Sequence, residues 1–169
     1  MQEIFPLFNV TILSSDSLEE NTAGIYDHNN DLILIDKLIY DHNPYLKNIV
    51  ILHEMFHATG HSKRTLRLSR IIHHHGSYLT NSKAYRLEEC ITEICTLIAM
   101  KKLGILTPAS RKFIERGLFS NYLSDMTIPW KEITAALNCF TDGDINFRIE
   151  AGLIKTQLEE KGIRFKDGY

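Results

Sequence analysis

The sequence predicts an α+β fold in which a few short strands come first and helices make up the rest. Short β-branched and apolar runs bounded by turn residues fall within residues 1–40, and this pattern is typical of strands. From residue 44 onward, apolar residues recur at helical spacing and glycines mark several helix ends. No linker rich in Gly, Ser or Pro divides the 169 residues. We therefore expect one domain over 1–169, with a helical C-terminal cap over 105–169.

The composition narrows the class of protein. The net charge of −2 gives no electrostatic reason to expect nucleic-acid binding. No apolar run approaches the ~18 residues that span a bilayer, and residues 1–6 lack the basic start of a secretion signal. Cys90, Cys95 and Cys139 form no Cys-x-x-Cys pair, which favours buried free thiols in a reducing compartment such as the cytoplasm.

The first elements are predicted to be strands. Leu7 to Leu13 is an apolar, β-branched run, and residues 14–21 are polar and predict a turn or a short helix. Residues 23–26 and 31–36 predict a hairpin, because the sequence Asp27-His28-Asn29-Asn30 between them has strong turn chemistry.

A helix over residues 44–60 is predicted next. Asn43 is its expected N-cap, Pro44 occupies its first position, and Gly60 ends it. This helix contains His53-Glu54-Met55-Phe56-His57, which is the H-E-x-x-H pattern.

The H-E-x-x-H pattern predicts a metal site. His53 and His57 lie one turn apart on one helix face, where their imidazoles can bind the same ion at about 2.0–2.1 Å. Glu54 lies about 100° round the helix, outside the ligand position but within reach of a water at the ion, as a general base would. The alternative is a solvated helix that carries these residues by chance. The apolar run Ile49–Leu52 at the start of the motif argues against it.

Two stretches rich in basic residues follow. Residues 62–70 predict a solvated helix face, with ligand or phosphate binding as the alternative; the basic residues are Lys63, Arg64, Arg67 and Arg70. The His73-His74-His75 sequence predicts a solvated loop, because consecutive side chains point in different directions and rarely share an ion.

A second helix is predicted from Ser82 to Gly104. On it, Glu89 and Glu93 lie one turn apart on one flank of the apolar stripe, and Glu88 lies on the other flank. A two-histidine site needs a third protein ligand, which a carboxylate from a following helix can supply. We assign Glu89 to that role and expect Glu93 to orient a ligand histidine through a hydrogen bond. Glu88 is expected to be a solvated charge, and the alternative is that all three glutamates are solvated.

The rest of the chain predicts helices alone, over Pro108–Gly117, Pro129–Cys139 and Ile145–Lys161. Asp142-Gly143-Asp144 is expected to cap the last of these. A calcium loop would need ligands spread over about twelve residues and a final glutamate, which this stretch lacks.

A set of residues within 20–105 occurs in a specific order. In sequence they are Tyr26, Asp31, Ile33, His53-Glu54, His57-Ala58-Thr59-Gly60-His61, Arg64, Leu66, Gly76-Ser77, Tyr85, Glu88-Glu89, Glu93-Ile94 and Leu103-Gly104-Ile105. This order resembles the zincin-like metallopeptidase domain of ArdC-type antirestriction proteins, which plasmids, phages and other mobile elements encode. The resemblance implies a zincin fold, with a small antiparallel or mixed sheet packed on the metal helix, one zinc ion and a glutamate as third ligand. Those proteins also carry an N-terminal single-stranded-DNA-binding domain; this sequence starts almost at the zincin part, so nucleic-acid binding is not expected to carry over.

The combined expectation is a zinc-dependent metallopeptidase that acts on a peptide or protein, with an antirestriction or host-interaction role. His53, His57 and Glu89 would hold the ion. Glu54 would take a proton from the attacking water and later pass it to the leaving amine.

Several points stay open at this level. The donor that stabilises the oxyanion is Tyr78, Tyr85 or His61. The strand Leu32 to Asp36, just before the metal helix, is expected to be an edge strand that borders the cleft and pairs with an extended substrate. One alternative is a catalytically silent zincin that acts as a protein-binding module. Another is a structural metal, whose site a fourth protein ligand such as His61 would close.

Overall fold

The computed structural model describes residues 10–141 and 144–169, within which the chain has seven helices and five short strands. The predicted α+β class is therefore confirmed. In chain order the elements are β1 (Thr11–Ser15), β2 (Gly24–Asp27), β3 (Leu32–Asp36), α1 (Lys37–His42), α2 (Pro44–Thr59), α3 (Arg67–His75), α4 (Lys83–Lys102), α5 (Pro108–Asn121), β4 (Ile128–Pro129), α6 (Trp130–Thr141), α7 (Ile145–Glu160) and β5 (Phe165–Lys166). The strand predicted from Leu7 to Leu13 begins outside the described residues. Asp142 and Gly143 of the predicted cap also lie outside them.

The three longer strands form one mixed sheet in the order β1-β3-β2. β2 and β3 are antiparallel neighbours, so the predicted hairpin is confirmed, and β1 lies parallel to β3 on its other side. The expectation that Leu32 to Asp36 would be the edge strand is wrong, because that strand is paired on both sides. It is central because β1 pairs with the side of β3 that the hairpin leaves open, and its side chains Ile33 and Ile35 are fully buried. The edge strand is β2, where Ile25 remains half exposed.

α2, which carries the H-E-x-x-H pattern, has the predicted boundaries. The Asn43 side chain accepts a hydrogen bond from the backbone N–H of Leu46 at 3.0 Å, and Gly60 follows the last helical residue. Gly60 has a φ of −75°, so no left-handed turn requires a glycine here. A Cβ at this position would come within 3.1 Å of the Arg67 guanidinium. The missing side chain makes room for that buried cation.

α4 runs through the middle of the molecule and contacts α2, α3, α5, α6 and α7. Its ends agree with prediction: the Ser82 side chain accepts a hydrogen bond from the Tyr85 N–H at 3.1 Å, and Gly104 follows with a φ of +70°. Because other helices surround α4, side chains on several of its faces are buried. The apolar stripe predicted from the sequence marks only one face of α4, whereas neighbouring helices bury several of its faces.

The prediction of a solvated helix face for the basic stretch is wrong, and the histidines lie in a helix and not in a loop, although His73 and His74 are exposed as expected. Residues 67–75 form α3, and His73 to His75 are its last turn. Arg67 is fully buried, and Arg64 and Arg70 pair with carboxylates from distant parts of the chain. The stretch is not a solvated face because its acidic partners arrive from the β2–β3 turn, α4 and α6. Those partners are Asp31, Glu88 and Glu132.

The C-terminal part is helical, as predicted, apart from one small parallel pair of strands. β4 pairs with β5 so that Ile128 lies opposite Phe165. Strands of two residues have no periodicity from which a sequence could predict them. Cys90, Cys95 and Cys139 are free cysteines, as expected. None of the helices among the described residues is long and apolar enough to cross a membrane.

Candidate metal centre

Three side chains from two helices meet at one point. α2 contributes His53 and His57, and α4 contributes Glu89. The two Nε2 atoms are 3.1 Å apart. Glu89 Oε1 lies 3.3 Å from the Nε2 of His57, and its Oε2 lies 3.4 Å from the Nε2 of His53. Among the described residues these three form the only cluster of His, Cys, Asp and Glu side chains whose ligand atoms all lie within 4.8 Å of one another.

These separations are compatible with a metal ion between the three side chains. Ligand atoms held at about 2.0–2.1 Å around a tetrahedral ion lie about 3.3–3.4 Å from each other. The Nε2–Nε2 distance of 3.1 Å is close to that value, and each Nε2 has a different Glu89 oxygen at 3.3 or 3.4 Å. Two imidazole lone pairs and a carboxylate repel each other at such distances unless a cation or protons lie between them. The three side chains could therefore hold one metal ion.

The other nitrogen of each histidine faces a carboxylate. Nδ1 of His53 lies 3.6 Å from Glu93 Oε2, and Nδ1 of His57 lies 3.3 Å from Glu88 Oε1. A carboxylate at Nδ1 favours the tautomer with its proton on that nitrogen, which leaves the Nε2 lone pair for a metal. Both rings are thus oriented with Nε2 toward Glu89.

The interpretation of Glu88 as a solvated charge is wrong. Its side chain is fully buried between α2 and α3, because the flank of α4 that carries it is covered. Arg67 donates to both of its oxygens, from Nε at 2.8 Å and from Nη2 at 2.5 Å. Burial opposes the charge on Glu88, but Arg67 and His57 lower the pKa of this carboxyl to about 2. Glu88 therefore links His57 to a buried guanidinium and remains ionised.

Arg67 is held by more than Glu88. Its Nη1 donates to the Thr59 hydroxyl at 2.6 Å, and its Nη2 donates to the carbonyl oxygen of Phe56 at 2.7 Å. Both acceptors are in the last turn of α2. The guanidinium of Arg67 thus donates hydrogen bonds both to the C-terminal turn of α2 and to the Glu88 carboxylate next to His57.

The protonation equilibria of the metal-free site favour positive histidines. Burial opposes the charge on His57, but Glu89 and Glu88 raise the pKa of this imidazole to about 9. Burial likewise opposes the charge on His53, but Glu93 and Glu89 raise its pKa above the ordinary value. The pKa of Glu89 is lowered, because His57 and His53 outweigh its desolvation. Protons occupy the positions that a metal ion would take, so ion binding must displace them.

Glu54 lies next to the ligands on the cleft side of α2 and is 6% exposed. Burial is the main cause that raises the pKa of this carboxyl above its ordinary value. Gly24 of β2 packs directly against this part of α2: a Cβ there would lie 2.5 Å from Val50 Cγ1 and 3.3 Å from Glu54 Cγ. The glycine lets the edge strand approach the general-base position.

A cleft of about 520 Å³ opens above the ligands. β2 forms one wall, and the segment that leads into α4 forms the other. The residues that line it are Glu19, Thr22, Gly24, Ile25, Tyr26, His28, His53, Glu54, His57, Tyr78, Thr80, Tyr85 and Glu89.

The three expected oxyanion donors lie in different places. Tyr78 and Tyr85 line the cleft, where burial and the nearby Glu89 carboxylate raise the pKa of Tyr85 to about 12. His61 is not part of the lining. Its Nε2 lies 3.1 Å from the carbonyl oxygen of His28, and its Nδ1 accepts a hydrogen bond from the Lys63 N–H at 3.0 Å. Both ring nitrogens of His61 are therefore engaged away from the ligand cluster.

The sequence interpretation missed His28, which lines the cleft. Its neighbours Asp27, Asn29 and Asn30 are such strong turn formers that His28 was read only as part of a turn. One sequence signal could have indicated a role for His28: it comes shortly after a predicted strand in a chain that also has a two-histidine metal motif. The Arg67–Glu88 pair gave no such local signal.

Comparison of the chain with protein-family models, with curated proteins and with solved structures gave no match. Function is therefore inferred from the geometry of the site.

Proposed function

We propose that this protein is a zinc-dependent metallopeptidase with a zincin-like domain. The observation that carries the proposal is the convergence of His53, His57 and Glu89 at one point, with each histidine backed by a second carboxylate. Among the described residues no fourth His, Cys, Asp or Glu joins this cluster. Structural zinc sites are normally closed by four protein ligands, whereas catalytic sites keep one position open. The open side faces the cleft, which supports catalysis over a structural metal.

The chain's own residues supply the remaining chemistry. When bound, the zinc ion acts as a Lewis acid that makes water nucleophilic near neutral pH. Glu54 accepts the proton of the attacking water and donates it to the leaving amine. Its raised pKa suits both tasks, because a carboxyl of that kind holds a proton more readily than an exposed one. Glu93 and Glu88 keep the two imidazoles in the orientation that presents Nε2.

The edge strand β2 supplies a binding surface for an extended peptide. Gly24, Ile25 and Tyr26 line the cleft, and within the described part of the chain β3 is the only strand that pairs with β2. Backbone N–H and C=O groups on an unpaired strand edge can add a further strand by hydrogen bonding. We assign to β2 the role that was first expected of Leu32 to Asp36.

The resemblance to ArdC-type proteins also suggests a role for the protein in the cell. We infer an antirestriction or host-interaction role, with a cellular protein as substrate. The free thiols of Cys90, Cys95 and Cys139 suit a reducing compartment, so we propose that the protein acts in the cytoplasm.

The decisive experiment compares the zinc-loaded protein with Glu54→Gln, using mass spectrometry of a digested peptide library. We expect cleavage by the wild type to fall about 10²–10⁴-fold in Glu54→Gln, while zinc content is unchanged. A chelator should abolish cleavage, and added zinc should restore it. Cleavage that persists in Glu54→Gln would contradict the proposal. A zinc-loaded wild type that cleaves no peptide would instead favour a silent zincin that binds a partner.

A further inference from the structure

Several side chains that line the cleft have polar atoms without a hydrogen-bond partner among the described residues. They include the Tyr78 hydroxyl and the His28 ring. His61, by contrast, is engaged elsewhere: it bonds to the His28 carbonyl oxygen and to the Lys63 N–H. A protein seldom leaves partly buried polar groups free inside a cleft unless a ligand or water completes them.

The backbone that carries His28 is firmly anchored. Because His61 Nδ1 accepts from the Lys63 N–H, the ring proton must lie on Nε2, which donates to the His28 carbonyl oxygen at 3.1 Å. The Asp27 carboxylate accepts from the backbone N–H groups of Asn29 and Asn30 at 2.8 and 3.2 Å. These bonds fix the turn on both sides of His28.

Aromatic contacts also restrict the His28 ring. It meets the Tyr26 ring edge-on with 4.7 Å between centroids, and the Tyr78 ring at 6.4 Å in the same arrangement. The Tyr26 and Tyr78 rings thus hold the imidazole in the wall of the cleft that the three candidate ligands also line. Burial lowers the pKa of His28, which favours a neutral ring with one N–H donor at neutral pH.

We propose that His28, together with Tyr78, binds the carbonyl oxygen of the peptide bond that is cleaved and stabilises the negative charge that develops on it. This proposal rests on the proposed function. His28 directly follows the last residue of β2, so a peptide paired with β2 brings its backbone to this ring. Neutral N–H and O–H donors held in a partly buried site are the groups that stabilise such a charge without themselves ionising.

The test uses His28→Ala, His28→Gln and Tyr78→Phe in the zinc-loaded protein, with His42→Ala as control, because His42 is an exposed histidine on α1. Loss of one oxyanion donor should lower kcat about 10²–10³-fold in His28→Ala, with little change in KM or zinc content. Gln keeps an N–H donor, so His28→Gln should recover much of the activity. His42→Ala should match the wild type.

A second measurement does not depend on peptide cleavage. Inorganic phosphate is a tetrahedral oxyanion, and its affinity for the zinc-loaded protein can be measured by calorimetry. We expect His28→Ala and Tyr78→Phe each to weaken phosphate binding about tenfold or more. Phosphate affinity and kcat within twofold of the wild type in His28→Ala, or no advantage of Gln over Ala, would overturn the proposal. A wild type that binds no phosphate at millimolar concentration would overturn it as well, whereas phosphate binding that depends on His28 without peptide cleavage would contradict only the peptidase proposal.

Discussion

Two neighbouring glutamates on α4 have different roles because the helix turns them about 100° apart. Glu89 faces the Nε2 atoms of both histidines, at 3.3 and 3.4 Å. Glu88 faces Nδ1 of His57 and the guanidinium of Arg67. One carboxylate is placed to bind the metal directly, and the other is placed to orient a ligand and to neutralise a buried cation.

Glu88→Gln should therefore affect both metal binding and stability. Loss of a partner behind a ligand histidine typically weakens metal binding about 10–100-fold. Loss of its charge also leaves Arg67 buried without a counter-ion, which we expect to cost about 3–5 kcal/mol of unfolding free energy. Zinc titration and urea unfolding measure the two effects.

Glu93→Gln is the matched control for this substitution. Glu93 lies 3.6 Å from Nδ1 of His53, and its side chain is 14% exposed. The Glu93→Gln substitution should weaken zinc binding by a similar factor but should lower the unfolding free energy much less, because no buried arginine pairs with Glu93. Equal stability losses in the two variants would show that the Arg67 pair does not matter.

A second residue-scale prediction concerns Asp31 and acid stability. Its carboxylate accepts from the Tyr26 hydroxyl at 2.6 Å and from Arg64 at 2.9 and 3.1 Å. Burial alone would raise the pKa of Asp31, but the hydrogen bonds from Arg64 and Tyr26 outweigh it and leave the pKa lowered. The ionised carboxylate thus stabilises the fold above the unfolded-state pKa of about 3.9, and this contribution is lost as the pH falls through the lower folded-state pKa.

Asp31→Asn should remove that acid-sensitive contribution. Urea unfolding from about pH 5 down to about pH 2 should give a shallower loss of stability in the variant than in the wild type. Parallel pH profiles would mean that Asp31 has the same pKa in the folded and unfolded states.

Spacing within one helix predicted that His53 and His57 lie together in the cluster, whereas the contacts that support them could not be predicted. His53 and His57 follow from an i, i+4 pattern. Arg67 and Glu88 meet across 21 positions of sequence, so no local pattern relates them. Burial of an arginine and a glutamate also runs against the usual preference of these residues for the surface, and it occurs only because they pair.

At the scale of elements, α5 supports the site through a glycine. A Cβ at Gly117 would lie 2.5 Å from Glu93 Oε1. Glycine in a helix interior costs about 1 kcal/mol relative to alanine, so its presence here calls for a reason. The reason is that α5 must approach α4 closely enough to leave the Glu93 carboxylate beside His53.

Gly117→Ala should weaken zinc binding without unfolding the protein. The methyl group displaces the Glu93 carboxylate, which is the mobile end of a side chain, so stability changes little while His53 loses its partner. We expect zinc affinity to fall by up to about 10–100-fold. Gly152→Ala is the matched control, because α7 leaves open space at that helical glycine. It should raise stability by about 0.4–1 kcal/mol and leave zinc affinity unchanged.

The order of the strands in the sheet could not be predicted from local sequence patterns. Turn chemistry between β2 and β3 predicted their pairing, but the position of β1 depends on a parallel contact between separate chain segments. That contact made β3 central and left β2 as the edge beside the metal helix. The identity of an edge strand is a property of the assembled sheet, and so it could not be obtained from Leu32 to Asp36 alone.

At the scale of the whole molecule, the proposed metal ligands come from two helices that are distant in sequence. α2 packs on the sheet and presents the histidines, and α4 packs among five other helices and presents the carboxylate. The division into early strands and later helices was predictable because hydrophobic periodicity changes along the chain. The way in which α3 closes the site from behind, through Arg67, depends on tertiary contacts.

Zinc should therefore stabilise the whole fold by holding α2 to α4. A ligand that binds only the folded state adds about 2.7 kcal/mol to the unfolding free energy when its free concentration is 100 times Kd. Thermal unfolding of the wild type should shift to higher temperature with added zinc, and Glu54→Gln should show the same shift because Glu54 is not a ligand. His53→Ala, His57→Ala and Glu89→Ala should show almost none. If Glu89→Ala is stabilised as strongly as the wild type, the third ligand is another residue, and the link between α2 and α4 through the metal does not exist.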